Sequence, residues 1–113
     1  MSLINVRKDG SVAVVELLLA RLDASVAVPF KQAVSHEVET GQRKLVLDMG
    51  SVEFVDSSGL GALVSILKSL GGSGSLAVCS VRPPVMGLFK LTRMDKVFTI
   101  QPDATRAVEK LAS

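Results

Sequence analysis

Residues 45–70, LVLDMGSVEFVDSSGLGALVSILKSL, restrict the fold more than any other part of this chain. The run opens with Leu45-Val46-Leu47, the length of a buried strand. A loop follows through Asp48 and Phe54, then a polar knot, Asp56-Ser57-Ser58-Gly59. Beyond it Leu60, Leu63, Val64, Leu67 and Leu70 recur at three- and four-residue steps, the spacing of one helix face. Asp or Ser just ahead of such a run is the expected N-cap, since its oxygen satisfies a free N–H of the first turn. Gly71 stands where helices stop. The stretch therefore reads as strand, loop and helix, with two hydroxyls and a carboxylate at the helix mouth. If Ser58 is the cap, Ser57 is the free hydroxyl.

The remaining elements line up around it. Leu3, Ile4 and Val6 predict a first strand, and Asp9-Gly10 is a hairpin signal. Val12 to Leu19 predicts a second strand, apolar enough to be covered on both faces. Ala20 to Asp23 leaves the sheet. Val26, Phe30, Val34 and Val38 predict a helix over about 27–40. Pro29 leaves its start open between a cap at Ser25 and a later first residue. Gly71 to Gly74 reads as a flexible connector, 76–81 as a fourth strand, and Pro83-Pro84 as the start of a short helix. Val97 to Ile100 predicts a fifth strand, and Pro102-Asp103 caps a terminal helix carrying Ala104, Ala107, Val108 and Leu111 on one side. The order predicts an α/β fold: a single-layer mixed sheet of four to five strands with about four helices. The first strand is antiparallel and the rest parallel. Right-handed crossovers with strands added in sequence order put the crossover helices on one face.

Length and composition narrow the function classes. The 113 residues predict one domain spanning 1–113, with a core of Val, Leu, Ile, Ala and Met because Trp and Tyr are absent. A formal charge of +2 with scattered basic residues argues against direct nucleic-acid binding. The most apolar stretch, Val12 to Ala20, falls well short of the ~20 residues a membrane span needs. No signal peptide is visible. A single cysteine, Cys79, fits a reducing cytoplasm. One His and one Cys leave no conventional zinc set, so neither metal nor cofactor is expected.

Nucleophilic use of Ser57 would need a base. The only histidine, His36, falls on an amphipathic helix beside Glu37 and Glu39, and the serine lacks the G-x-S-x-G setting of hydrolases. Asp48 and Asp56 as a working carboxylate pair lack a pocket or a metal. Gly71-Gly72-Ser73-Gly74 is not a phosphate loop, since no Lys-Ser/Thr follows. The chain is not expected to be an enzyme.

The run LVLDMGSVEFVDSSGLGALVSIL resembles the STAS domain, in particular bacterial anti-sigma-factor antagonists with D-S-[ST]-G-[LI]-G between the third strand and second helix. Leu22-Asp23-Ala24-Ser25 resembles the family's L-D-x-x loop, and Pro84 to Thr92 its P-x-V-x-x-L-F-x-L-[TS]. Lys96 to Ile100 is similar to its last strand. Ala20, where many members have Gly, and Pro29 depart from the pattern. The resemblance implies an anti-sigma-factor antagonist whose unphosphorylated form binds an anti-sigma factor with serine-kinase activity and so releases a sigma factor. Phosphorylation at the first motif serine, here Ser57, switches it off, and a serine phosphatase resets it. The implied partner-binding residues are Asp23, Ser25, Asp48, Phe54, Asp56, Ser57, Ser58, Gly59, Leu60 and Gly61. A monomer or weak dimer without membrane insertion is expected. The alternative on the same fold is an accessory subunit of a membrane transport system that binds an ATPase without being phosphorylated.

Overall fold

The computed structural model describes residues 2–112. Strand β1 (Ile4–Asp9) turns back into β2 (Val12–Leu17). Asp9 pairs with Val12, so Gly10 and Ser11 form a two-residue loop, and Gly10 takes a positive φ of 62° that favours glycine. A two-residue strand β3 (Arg21–Leu22) precedes α1 (Ala27–Glu39). Then come β4 (Lys44–Asp48), a second short strand β5 (Phe54–Val55), α2 (Ser57–Leu70), β6 (Ser75–Cys79) and α3 (Pro83–Leu91). The described chain closes with β7 (Thr99–Gln101) and α4 (Ala104–Ala112).

The main sheet has the order β1-β2-β4-β6-β7, antiparallel at the first pair and parallel thereafter. This is the predicted sheet, with strands in sequence order. Side-chain alternation divides its apolar residues. Ala13, Val15, Leu17, Leu45, Leu47, Leu76 and Val78 pack with α1, α2 and α3. Val12, Val14, Val46, Ala77 and Cys79 face the other way, under Ala107, Val108 and Leu111 of α4. The continuous apolar run of β2 thus serves two cores, with only Glu16 exposed.

Several boundaries differ from the sequence reading. β2 ends at Leu17 rather than Leu19, and Leu18 is exposed. β6 ends at Cys79 because Ser80 adopts a φ of 59°, outside extended geometry. β7 begins at Thr99: Phe98 instead turns inward to stack on Phe89 with ring centroids 5.8 Å apart, and Val97 is left exposed. The glycine run 71–74 is not a loose connector. Residues Gly71–Ser73 form a 3₁₀ turn, and Arg43 Nη2 donates to Leu70 O and Ser73 Oγ, both at 2.6 Å. Helix α1 has no side-chain cap, from Ser25 or any other residue. Val26 and Ala27 donate their amides to Asp23 O instead, and Pro29 lies in the first turn, where its missing N–H is harmless.

The β3–β5 ladder, absent from the sequence reading, positions everything that follows. Arg21 pairs with Phe54 and Leu22 with Val55, parallel. Leu22 and Val55 turn inward and are buried; Arg21 and Phe54 face solvent.

Candidate functional site at the mouth of the second helix

Asp56 is the N-cap of α2, in extended backbone geometry just ahead of the first helical residue. Its Oδ1 accepts from Gly59 N at 2.9 Å, as a cap should. Its Oδ2 accepts from Ala24 N at 3.2 Å, reaching across to the loop after β3. The backbone reinforces the bridge: Asp56 N donates to Leu22 O and Glu53 N to Ala20 O. One carboxylate therefore fixes the helix mouth and the Asp23 loop to each other.

With Asp56 as cap, Ser58 is not one. Ser57 and Ser58 are the first two residues of α2, both exposed, and neither hydroxyl makes a hydrogen bond among the described residues. Gly59 is buried with its Cα against β3. A Cβ there would lie 2.1 Å from Leu22 O and 2.9 Å from Leu22 Cγ. Internal packing against Leu22 by itself requires a glycine at this position. Gly61 is exposed, and a Cβ there would meet nothing within 4 Å. Leu60 is half-buried against the core, and its amide donates to Asp56 O at 2.9 Å.

The loop after β3 is ordered by Asp23. Its Oδ1 accepts from the Ser25 hydroxyl at 2.5 Å and the Ser25 amide at 3.1 Å, and Arg21 Nε approaches Oδ2 at 3.4 Å. The Ser25 hydroxyl bond above all, then its amide bond and Arg21, holds the Asp23 carboxyl below its ordinary value. Arg21 also lies over Phe54, its guanidinium carbon 4.1 Å from the ring centroid. Hydrogen bonds and backbone pairing thus bring Asp23, Ser25, Phe54, Asp56 and Ser57 into one surface. Asp48 is not bonded into it. Strand alternation points Asp48 to the α4 side with Val46, and its Oδ1 accepts from Gly50 N at 3.0 Å within its own turn.

Arg21 and the amide of Ala24 are the contributors that sequence reasoning passed over. Strand alternation around a buried Leu22 was the available signal, but two residues carry no periodicity.

The one histidine of the chain lies apart from this surface. His36 lines a groove of about 380 Å³ on the outer side of α1 with Val28, Lys31, Gln32, Ser35 and Glu39, and no residue of the Ser57 group lines it. No group of three metal-binding side chains occurs among the described residues. No described helix is long and apolar enough to cross a membrane.

A mixed sheet in this order, with a capped serine pair at the mouth of its second helix, defines a STAS-type domain. The chain belongs to the STAS domain family, which matches it over residues 4–107. It is 34% identical over 84 residues to a candidate anti-sigma factor antagonist of Thermotoga maritima, covering 73% of this chain and 74% of that protein. The crystal structure of an anti-sigma factor antagonist from Mycobacterium paratuberculosis superposes with a TM-score of 0.89 at 27% identity, over 97% of this chain and 93% of that one. The Bacillus protein SpoIIAA shares the fold, with TM-scores of 0.79 unphosphorylated and 0.70 phosphorylated, at 16% and 15% identity. Those alignments cover 96% and 95% of this chain and 96% and 97% of SpoIIAA. Within the family, the named sequence relatives are anti-sigma factor antagonists.

Proposed function

We propose that this protein is a cytoplasmic, phosphorylation-controlled binding module without catalysis of its own. Unphosphorylated, it binds an anti-sigma factor with serine-kinase activity and frees a sigma factor; phosphorylated on Ser57, it lets go until a serine phosphatase restores it. The observation that carries this reading is the placement of Ser57. Its hydroxyl is exposed and uncommitted at the first position of α2, as is that of Ser58 beside it, because Asp56 does the capping; the resemblance to the family's motif selects the first of the two serines.

The electrostatics suit a switch that needs no refolding. A phosphate adds about −1.5 to −2 charges at neutral pH. In the free domain the helix N-terminus tolerates it, because the macrodipole is positive there. At an interface the same dianion is desolvated beside Asp56 and near Asp23. A penalty of about 3–4 kcal/mol weakens binding several-hundredfold.

Incubation with ATP and each candidate serine kinase, followed by intact mass and peptide mapping, tests the reading. One phosphate on Ser57, abolished in Ser57→Ala, is expected. By calorimetry Ser57→Ala should bind the kinase as wild type does, and Ser57→Asp more weakly. Equal affinity of Ser57→Asp and wild type removes charge exclusion as the mechanism. No phosphate with any kinase favours a transport-subunit role instead.

A further inference from the structure

We infer that Arg21 determines partner specificity, presenting a preorganised guanidinium fork to a carboxylate on the protein that docks over Ser57; the inference rests on the binding function proposed above. The β3–β5 ladder sets Arg21 directly beside Phe54 on the solvent side, with the guanidinium 4.1 Å from the ring centroid. The ring supports the guanidinium from one side, and Nε donates to Asp23 Oδ2 at 3.4 Å. An arginine has five N–H donors, and only the one on Nε is engaged within the described chain. The other four have no partner within the described chain, on a side chain that is 62% exposed.

The neighbouring acids offer much less to a partner. Asp56 gives one oxygen to Gly59 N and the other to Ala24 N. Asp23 gives Oδ1 to Ser25 and Oδ2 to Arg21. The largest set of unspent donors on the surface is thus the Arg21 fork, next to Phe54, a residue that is 40% exposed, with the Ser57 and Ser58 hydroxyls free to donate or accept. A planar fork propped on a ring matches a carboxylate in two-pronged geometry, and being preorganised it loses little freedom on binding. Arginine and aromatic side chains are also the residue types that dominate interface energetics.

This assignment sharpens the switch. A partner carboxylate drawn to Arg21 approaches the same surface as Ser57, so a phosphate on Ser57 repels that acid as well as being poorly solvated. Charge on the partner, not only charge on this domain, then enforces release.

The test uses the purified anti-sigma kinase that modifies Ser57, with ADP in place of ATP so that the serine stays free, and calorimetry as readout. Arg21→Ala should weaken binding about tenfold or more, with an unchanged melting temperature because the side chain is exposed. Arg21→Lys, which keeps charge but loses the fork and the stack, should recover only part of that. Arg21→Glu should be weakest and regain affinity when one partner Asp or Glu is changed to Arg. Arg21→Ala binding within about twofold of wild type overturns the assignment and leaves the proposed function standing. An effect of Arg21→Ala confined to the phosphorylated form overturns it equally, since the fork would then serve the domain's own phosphate. If no kinase binds the wild-type protein, the proposed function fails and the Arg21 assignment falls with it.

Discussion

Asp56 is the residue on which the site depends, because its two oxygens serve two elements. Asp56→Ala should cost about 0.5–2 kcal/mol through the lost cap. It should also speed hydrogen exchange at Ala24, whose amide loses its acceptor. Ser58→Ala, by contrast, should leave stability within about 0.5 kcal/mol of wild type, since an exposed hydroxyl with no partner is removed. Urea melts of the pair decide this, and a larger loss in Ser58→Ala than in Asp56→Ala would reverse the capping assignment. The two motif glycines divide in the same way. Gly59→Ala drives a methyl into the Leu22 carbonyl and should destabilise by about 1–3 kcal/mol or more. Gly61→Ala meets open space and should stabilise α2 by up to ~1 kcal/mol. If Gly61 serves the partner, the same change lowers kinase affinity, so stability and binding move in opposite directions.

At the scale of elements, α2 shows how far sequence periodicity reaches. The stripe of Leu60, Leu63, Val64, Leu67 and Leu70 correctly predicts a helix, but its buried line is Gly59, Ala62, Leu63, Ile66 and Leu70. Val64 and Leu67 are only partly buried. The wheel locates a face; the neighbours decide its centre, and here Gly59 seated on Leu22 rotates the helix toward Ala62 and Ile66. Leu63→Ala should therefore cost about 2–5 kcal/mol, and Leu67→Ala below about 2 kcal/mol. Equal losses in chemical denaturation would contradict the observed orientation. The parallel strands and α1 were legible for a related reason: each repeats a pattern over enough residues to be counted; the first hairpin was legible by turn chemistry instead, although its loop is Gly10-Ser11 and Asp9 belongs to β1. β3 and β5 were not, because a two-residue ladder exists only once Ala20–Leu22 and Glu53–Asp56 meet. The cap was ambiguous too. Asp56, Ser57 and Ser58 are all capping residue types, and choosing among them needs the tertiary contact that fixes where the helix starts. The serine motif could be read from the chain; the carboxylate bridge behind it could not.

The molecule as a whole has a working side and a covering side. Helices α1, α2 and α3 share one face of the sheet with the Ser57 surface at its edge, while α4 alone shields the other. Cys79 reports on that division, since it lies fully buried in β6 under α4. Burial pushes its thiol up from 9.0 to about 11, with the carboxylates of Asp48 and Asp103 adding to the effect. Because the folded value is the higher one, the protonated thiol favours the fold below about pH 9. That contribution is lost as pH rises through about 11. In the native state the thiol should thus react with a disulfide reagent only through opening. A nine-residue helix held by Ala107, Val108 and Leu111 is too short to persist alone, so its undocking is the cheapest opening available. Leu111→Ala should then accelerate Cys79 labelling at pH 8 by about tenfold for each ~1.4 kcal/mol of lost docking. Phosphate acceptance at Ser57 should stay at the wild-type rate, because α1, α2 and the β3–β5 ladder are untouched. If labelling accelerates only as much as global unfolding does, and phosphorylation falls with it, the two faces open as a single unit and α4 is part of the support beneath the switch.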